Sequence, residues 1–324
     1  MTCEAAMKKD HTKPKSELGG VVVLDFGGQY TQLIARRIRE QQVFSAIVPC
    51  TARLDEIRSY EPAGVILSGG PSSVYDKDAP KCDPAVLGAG IPVLGICYGM
   101  QWIAKTLGGK VEPAGRREYG RADFAHDPAE NGELFRGLPG KLRIWNSHGD
   151  HVLAVPAGFR TTGKTENAIA AIQNTERRIH AVQFHPEVNH TEQGTAILRN
   201  FLFEVCKAEP KWSGSAFVEE TTQAVLRKVG EKQAICALSG GVDSTVAAVL
   251  VHRAIGDRLT NVFVNNGLLR KNEFEDTLKM YRERLGLHVV GVDATERFIG
   301  RLQGITDPEE KRKRIGREFI AVFA

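Results

Sequence analysis

The sequence predicts an α/β protein of two successive α/β domains, each around a mostly parallel sheet. Three observations carry this. Apolar runs such as Val21-Val22-Val23-Leu24, Val65-Ile66-Leu67 and Pro92-Val93-Leu94-Gly95-Ile96 are continuous rather than alternating, as in strands buried on both faces. Glycines follow these runs directly, at the edge where open α/β sheets take their ligands. The same strand–glycine–helix pattern returns at Ala234-Ile235-Cys236-Ala237-Leu238, beyond a polar stretch holding Pro210 and Gly214.

In chain order, residues 1–19 are polar, with lysines among acids, and predict a mobile tail. A helix is expected over 32–41, where Leu33, Ile34 and Ile38 share one face. The runs at 65–67 and 92–96 supply further parallel strands, and 98–107 a helix. Between 111 and 184 the signal changes to shorter β-like pieces, among them 142–145, 168–173 and 179–184. A helix over 194–206 ends the first domain, 20–207. Residues 208–215 read as a linker. The second domain, 216–324, opens with a helix at 217–229, a strand at 234–238, a Gly-rich loop and a helix through Ile255. Strands at 259–264 and 287–292 follow, then a charged helical stretch at 307–318. Phe319, Ile320, Val322 and Phe323 are expected to pack against an element the chain does not supply.

Composition narrows the class. Across 324 residues, 43 Lys and Arg against 39 Asp and Glu leave a net charge of only +4, so nothing demands nucleic acid as a partner. Six irregularly spaced cysteines, none in a CxxC, are wrong for a zinc site and too few for a disulfide scaffold. This favours a reducing compartment. No apolar run approaches the ~18 residues of a membrane span, and the N-terminus lacks a signal-peptide core. The expectation is a cytoplasmic protein with no membrane partner.

Gly95-Ile96-Cys97-Tyr98-Gly99 follows a strand and opens a helix. This is the setting of a nucleophile elbow, with glycines permitting the sharp turn that projects the thiol from the sheet edge. The helix N-terminus favours a thiolate. His185-Pro186-Glu187 closes the expected strand 179–184. Residues two apart on a strand face the same side, so His185 could serve as base with Glu187 orienting it. Ser68-Gly69-Gly70-Pro71 offers backbone N–H groups, which with the Tyr98 amide could form an oxyanion hole. His148, within Trp145-Asn146-Ser147-His148-Gly149-Asp150, is a rival base, although that segment reads more as a polar loop contacting substrate.

Ser239-Gly240-Gly241-Val242-Asp243-Ser244-Thr245 joins a strand to a helix. Paired glycines let N–H groups converge on an anion, hydroxyls of Ser239, Ser244 and Thr245 add donors, and the helix dipole favours phosphate. Asp243 is a candidate Mg²⁺ ligand, directly or through water. The loop lacks the lysine of a Walker A motif.

With both motifs in view, the chain resembles the glutamine-hydrolysing GMP synthases. The Gly95–Gln101 and His185–Glu187 motifs resemble the class I glutamine amidotransferase signature, and the Ser239–Ser244 motif the pyrophosphate loop of N-type ATP pyrophosphatases. The resemblance implies that Cys97 attacks the glutamine amide with His185 as base and acid and Glu187 holding His185. Gly70 and Tyr98 would stabilise the oxyanion, and Gln101 and Asp150 would contact glutamine. It further implies that ATP with Mg²⁺ adenylates XMP, and that ammonia displaces AMP to give GMP. The family forms homodimers through a C-terminal domain and carries further ATP and XMP loops; none of these is found within residues 1–324, so the second domain is expected to be incomplete and inactive alone. Asn265 stands where the family usually has Asp. The alternative reading is a stand-alone glutaminase that donates ammonia.

Overall fold

The computed structural model describes residues 19–128 and 132–323, excepting the side chains of 114–118. The expected tail lies outside the described residues, apart from Gly19. The chain divides into two compact units, one through Gly214 and one from Ser215.

In the first unit nine strands form one sheet among the described residues. They are β1 (Val21–Asp25), β2 (Ser45–Pro49), β3 (Gly64–Leu67), β4 (Val93–Ile96), β5 (Lys110–Ala125), β6 (Lys141–Ala154), β7 (Arg160–Lys164), β8 (Ile169–Asn174) and β9 (Ile179–Val182). Their order is β2-β1-β3-β4-β9-β8-β7-β5-β6. Pairing is parallel from β2 to β9 and antiparallel from there to β6. The continuous apolar runs are explained by β1: Val21 and Val23 enter one core, Val22 and Leu24 the other. Helices α1 (Thr31–Glu40) and α4 (Gly194–Asn200) pack on the first face through Ile34, Ile38, Ile197 and Leu198, while α3 (Tyr98–Thr106) packs on the second through Met100 and Ile103. A short helix α2 (Leu54–Arg58) precedes β3.

Two expectations need correction here. The short β pieces before residue 155 belong to a long antiparallel pair, β5 with β6. On β6 every second residue from Leu142 to Val152 is buried, but three of those inward positions are the polar Asn146, His148 and Asp150. Polar residues at inward positions hid the strand period. The helix expected over 194–206 is α-helical to Asn200 and loosens there into a π-helical turn, Phe201–Val205.

The second unit carries a three-stranded parallel sheet in the order β10-β11-β12, from Ala234–Leu238, Leu259–Asn265 and Val289–Asp293. Its helices are α5 (Gly214–Val229), α6 (Val242–Ile255), α7 (Glu273–Lys279), α8 (Thr295–Leu302) and α9 (Pro308–Phe323). The expectation that the end of α9 lacks a partner is overturned for three of its four apolar residues. Phe319, Val322 and Phe323 pack around Val264, Ala294 and Phe298, with the Phe319 and Phe298 rings 4.8 Å apart; Ile320 alone of the four is exposed. The nearby Glu318 carboxylate is buried and paired with Arg297 and Arg301. Among the described residues, no helix is long and apolar enough to cross a membrane.

Candidate active site

Cys97 sits between β4 and α3 with φ +52° and ψ −106°, a conformation that costs a non-glycine residue about 1–3 kcal/mol. Three features hold it. Its N–H donates to Val182 O of β9 at 2.8 Å, extending the parallel ladder past the strand end. Its carbonyl accepts the first helical bond of α3, from Gln101 N–H at 3.2 Å. The third is close packing at Gly99, where a Cβ would lie 2.4 Å from Leu67 O and 2.8 Å from Leu67 Cβ. Only glycine there lets α3 approach β3 closely enough to aim the thiol out of the sheet edge.

His185 and Glu187 meet Cys97 at this edge. His185 Nδ1 and Glu187 Oε1 are 2.7 Å apart, and both side chains are buried. Burial, the largest single effect on His185, disfavours the imidazolium. Hydrogen bonding and charge from Cys97 and Glu187 outweigh it, so the His185 pKa stands well above the ordinary histidine value. With Nδ1 on Glu187, Nε2 is left for the thiol. The geometric reason differs from the expected one. The strand ends at Val182, and His185-Pro186-Glu187 lie in the following turn, so the turn rather than the β pleat brings Glu187 to the ring's Nδ1 edge. The Tyr30 ring meets the His185 ring edge-on at 5.2 Å.

The loop after β3 closes over the nucleophile. A Cβ on Gly69 would lie 3.0 Å from His185 Cε1 and 3.7 Å from Cys97 Cβ; one on Gly70 would lie 2.8 Å from Phe26 O and 3.4 Å from Tyr98 Cγ. Gly70 and Tyr98 are therefore neighbours, and the Tyr98 amide precedes the first internal bond of α3. Ser68 fixes the loop by accepting from Phe26 N–H at 3.0 Å and donating to Gly69 O.

Cys97, His185, Gly69, Gly70, Gln101 and Asp150 line one cavity of about 470 Å³. Gln101 Nε2 donates to Asp150 O at 2.8 Å, so the two expected glutamine contacts support each other. Sequence reasoning missed Ser73, whose hydroxyl donates to Asp150 Oδ2 at 2.5 Å and ties the β3 loop to β6. It also missed Arg37 of α1, which donates to Glu187 O at 3.0 Å. Neither residue stands in a motif; only the folded chain brings them in. His148 lies on β6 in the same cavity wall, not on a loop, with Nδ1 3.0 Å from Asp150 O.

In the second unit the loop Ser239–Thr245 crosses from β10 to α6 with Gly240 at φ +81°. Its hydroxyls are largely engaged with the loop itself. Ser239 Oγ and Ser244 Oγ are 2.9 Å apart, Thr245 Oγ1 donates to Gly241 O at 2.8 Å, and it meets Tyr281 OH at 3.0 Å. The amides of Val242, Asp243 and Ser244 precede the first bond of α6, Thr245 N–H to Gly241 O. Asp243 is exposed in that first turn. Asn265 ends β11 in register with Asp293 at the end of β12, so a carboxylate stands on the neighbouring strand. Hydrogen bonds from Thr295 and then from Asn265 hold the Asp293 carboxyl below its ordinary pKa.

Comparison with known proteins agrees with this layout. Residues 22–205 match the family model "Glutamine amidotransferase class-I", and residues 216–313 match "NAD synthase". The chain is 52% identical over 304 residues to a glutamine-hydrolysing GMP synthase of Syntrophomonas wolfei and 53% identical over 304 residues to one of Geobacillus kaustophilus; in each case 94% of this chain and 59% of the relative are covered. It thus spans about three-fifths of the length of these relatives. Among solved structures, a provisionally assigned GMP synthase component from Thermoplasma acidophilum superposes with a TM-score of 0.51 at 32% identity, covering 59% of this chain and 94% of that one. With a model match across more than half its residues, the chain belongs to the class I glutamine amidotransferase family.

Proposed function

We propose that the first unit hydrolyses glutamine to glutamate and ammonia, and that the second belongs to a synthetase that spends this ammonia on making GMP. The observation that carries the first half is the buried contact of Cys97, His185 and Glu187 at the rim of a cavity of amino-acid size. The Cys97 sulfur attacks the side-chain amide carbon, and its proton passes to His185 Nε2. The amides of Gly70 and Tyr98 receive the charge that develops on the carbonyl oxygen. His185 then protonates the departing nitrogen, ammonia leaves, and a glutamyl thioester remains on Cys97. Water, deprotonated by His185, cleaves the thioester and restores the thiol. Glu187 keeps the imidazole in the useful tautomer and offsets its charge. Gln101 and Asp150, locked together and to Ser73, hold the amino-acid end of the substrate.

For the second half, the support is the loop Ser239–Thr245 at a helix N-terminus, together with the identity to GMP synthases across both units. ATP would lay its phosphates against the amides of 242–244, adenylate XMP and release pyrophosphate; ammonia would displace AMP to give GMP. Asp243 fits Mg²⁺ as one carboxylate beside substrate phosphates and water, the usual manner for this ion. The experiment is twofold. Cys97→Ala should abolish glutamate release while the protein stays folded; persistence of hydrolysis would remove Cys97 as nucleophile. XMP-dependent release of AMP from ATP, with ammonia supplied, would support the synthetase. Its absence in the protein at the full length of its relatives would leave a glutaminase that only donates ammonia.

A further inference from the structure

The turn after β9 is fastened by a closed ring of three hydrogen bonds. His185 N–H donates to Trp145 O at 3.1 Å. Trp145 N–H donates to Thr191 Oγ1 at 3.1 Å. The Thr191 hydroxyl donates to His185 O at 2.6 Å. Facing residues of an antiparallel pair exchange both N–H···O bonds. Here one of the two is direct, and the Thr191 hydroxyl is spliced into the other. The splice is needed because His185 stands beyond the end of β9, where no ladder continues to fix its peptide.

The same stretch of β6 also holds the nucleophile. Ser147, two residues on from Trp145, places its carbonyl oxygen 3.7 Å from the Cys97 sulfur. The base is therefore referenced to β6 through Trp145, and the nucleophile through Ser147. Thr191 is buried, and its hydroxyl is the one side-chain group in the ring.

We propose that Thr191 is a positioning residue whose hydroxyl fixes where the His185 imidazole stands relative to the Cys97 thiol, without touching substrate. This rests on the reading of Cys97 and His185 as nucleophile and base. A shift of the His185 peptide by a few tenths of an ångström lengthens the thiol–imidazole contact while Glu187 still follows the ring, since Glu187 is only two residues away. The thiol then loses the partner that takes its proton.

The test is alkylation of Cys97 by iodoacetamide across pH, read by peptide mass so that the other cysteines do not interfere. It needs no glutamine. In the unaltered chain Cys97 should react faster at pH 6.5 than it does in His185→Asn, because the imidazole takes the thiol proton. Thr191→Val keeps the shape and removes the hydroxyl. Its rate at pH 6.5 should fall about tenfold. Thr191→Ser should stay within about twofold of the unaltered chain. In turnover, Thr191→Val should lose about 10–100-fold in kcat with KM within twofold. A valine profile that overlays the unaltered one, or a serine variant as damaged as the valine one, overturns the proposal. Melting and circular dichroism monitor the fold, with Thr191→Ala as a second variant. Loss of fold in both the valine and alanine variants would assign the hydroxyl to stability instead, and would also overturn it. If Cys97 reacts no faster in the unaltered chain than in His185→Asn, the Cys97–His185 pairing fails and the functional reading falls with it; failure confined to the Thr191 variants strikes Thr191 alone.

Discussion

Gly69→Ala probes the site where its loop meets both His185 and Cys97. The new methyl would lie 3.0 Å from His185 Cε1 and 3.7 Å from Cys97 Cβ. A relaxed carbon–carbon contact is about 3.5–4.0 Å, so roughly half an ångström must be found. Gly69 does not adopt a positive φ, so the alanine backbone itself is unstrained. Neither neighbour yields easily: the imidazole is pinned by Glu187 at 2.7 Å and its peptide by Trp145 and Thr191, while Cys97 is held by Val182. Misplacement by 1 Å at a reacting centre can cost about 10²-fold, so half of that predicts a fall in kcat of about tenfold. The methyl faces the cavity, which keeps the stability cost at the low end of overpacking, about 1 kcal/mol. In a domain of this size that lowers the melting temperature by about 2–4 °C. Glutamate release measured against glutamine concentration, alongside thermal melting, separates the two effects. A kcat within twofold of the unaltered protein would refute the claim that the Cys97–His185 spacing is rigidly held.

Three further outcomes are expected. His185→Asn should lower glutamine turnover by about 10²–10⁴-fold, the worth of a positioned proton carrier. Glu187→Gln should cost less, about 10–100-fold, because the amide can still accept from His185 Nδ1 through its carbonyl oxygen. A His148→Ala variant more damaged than His185→Asn would reverse the assignment of the base. His180 on β9 supplies a pH test of stability: burial first and the Arg160 charge second hold its pKa down at about 4. The unfolded chain therefore binds a proton that the native state refuses, so this contribution is full above pH ~6.5 and is lost as pH falls towards 4, to an order of about 3 kcal/mol. Urea midpoints across that range should fall, and the slope should flatten in His180→Phe; an unchanged slope would mean that His180 does not remain neutral.

The parallel half of the large sheet was legible because burial on both faces leaves unbroken apolar runs, as in β1, β3 and β4. The elbow at Cys97 was legible because its glycines are demanded by backbone contact, as at Gly99. In the antiparallel half β8 was legible, but the full length of β6 was not, because it turns Asn146, His148 and Asp150 inward where period-2 reasoning looks for apolar residues. The Glu187 contact was expected from strand alternation and arises from a turn instead. Ser73, Arg37 and Thr191 carry no local signature: Ser73 and Arg37 each reach a site residue far along the chain, and Thr191 ties the nearby His185 to the distant Trp145, pairings that exist only once the sheet has assembled. At the end of α9 the error ran the other way. Apolar residues read as unpartnered find Phe298 and Val264 within their own unit.

The central claim is that glutamine is cleaved through a covalent bond to Cys97. Acid quenching of the protein during turnover, followed by peptide mass analysis, measures this directly. A glutamyl group should appear on the peptide bearing Cys97 and on no other cysteine, and should vanish in Cys97→Ala together with ammonia release. Sustained ammonia release from the Cys97→Ala protein, or a glutamyl group on a different cysteine, would contradict the account.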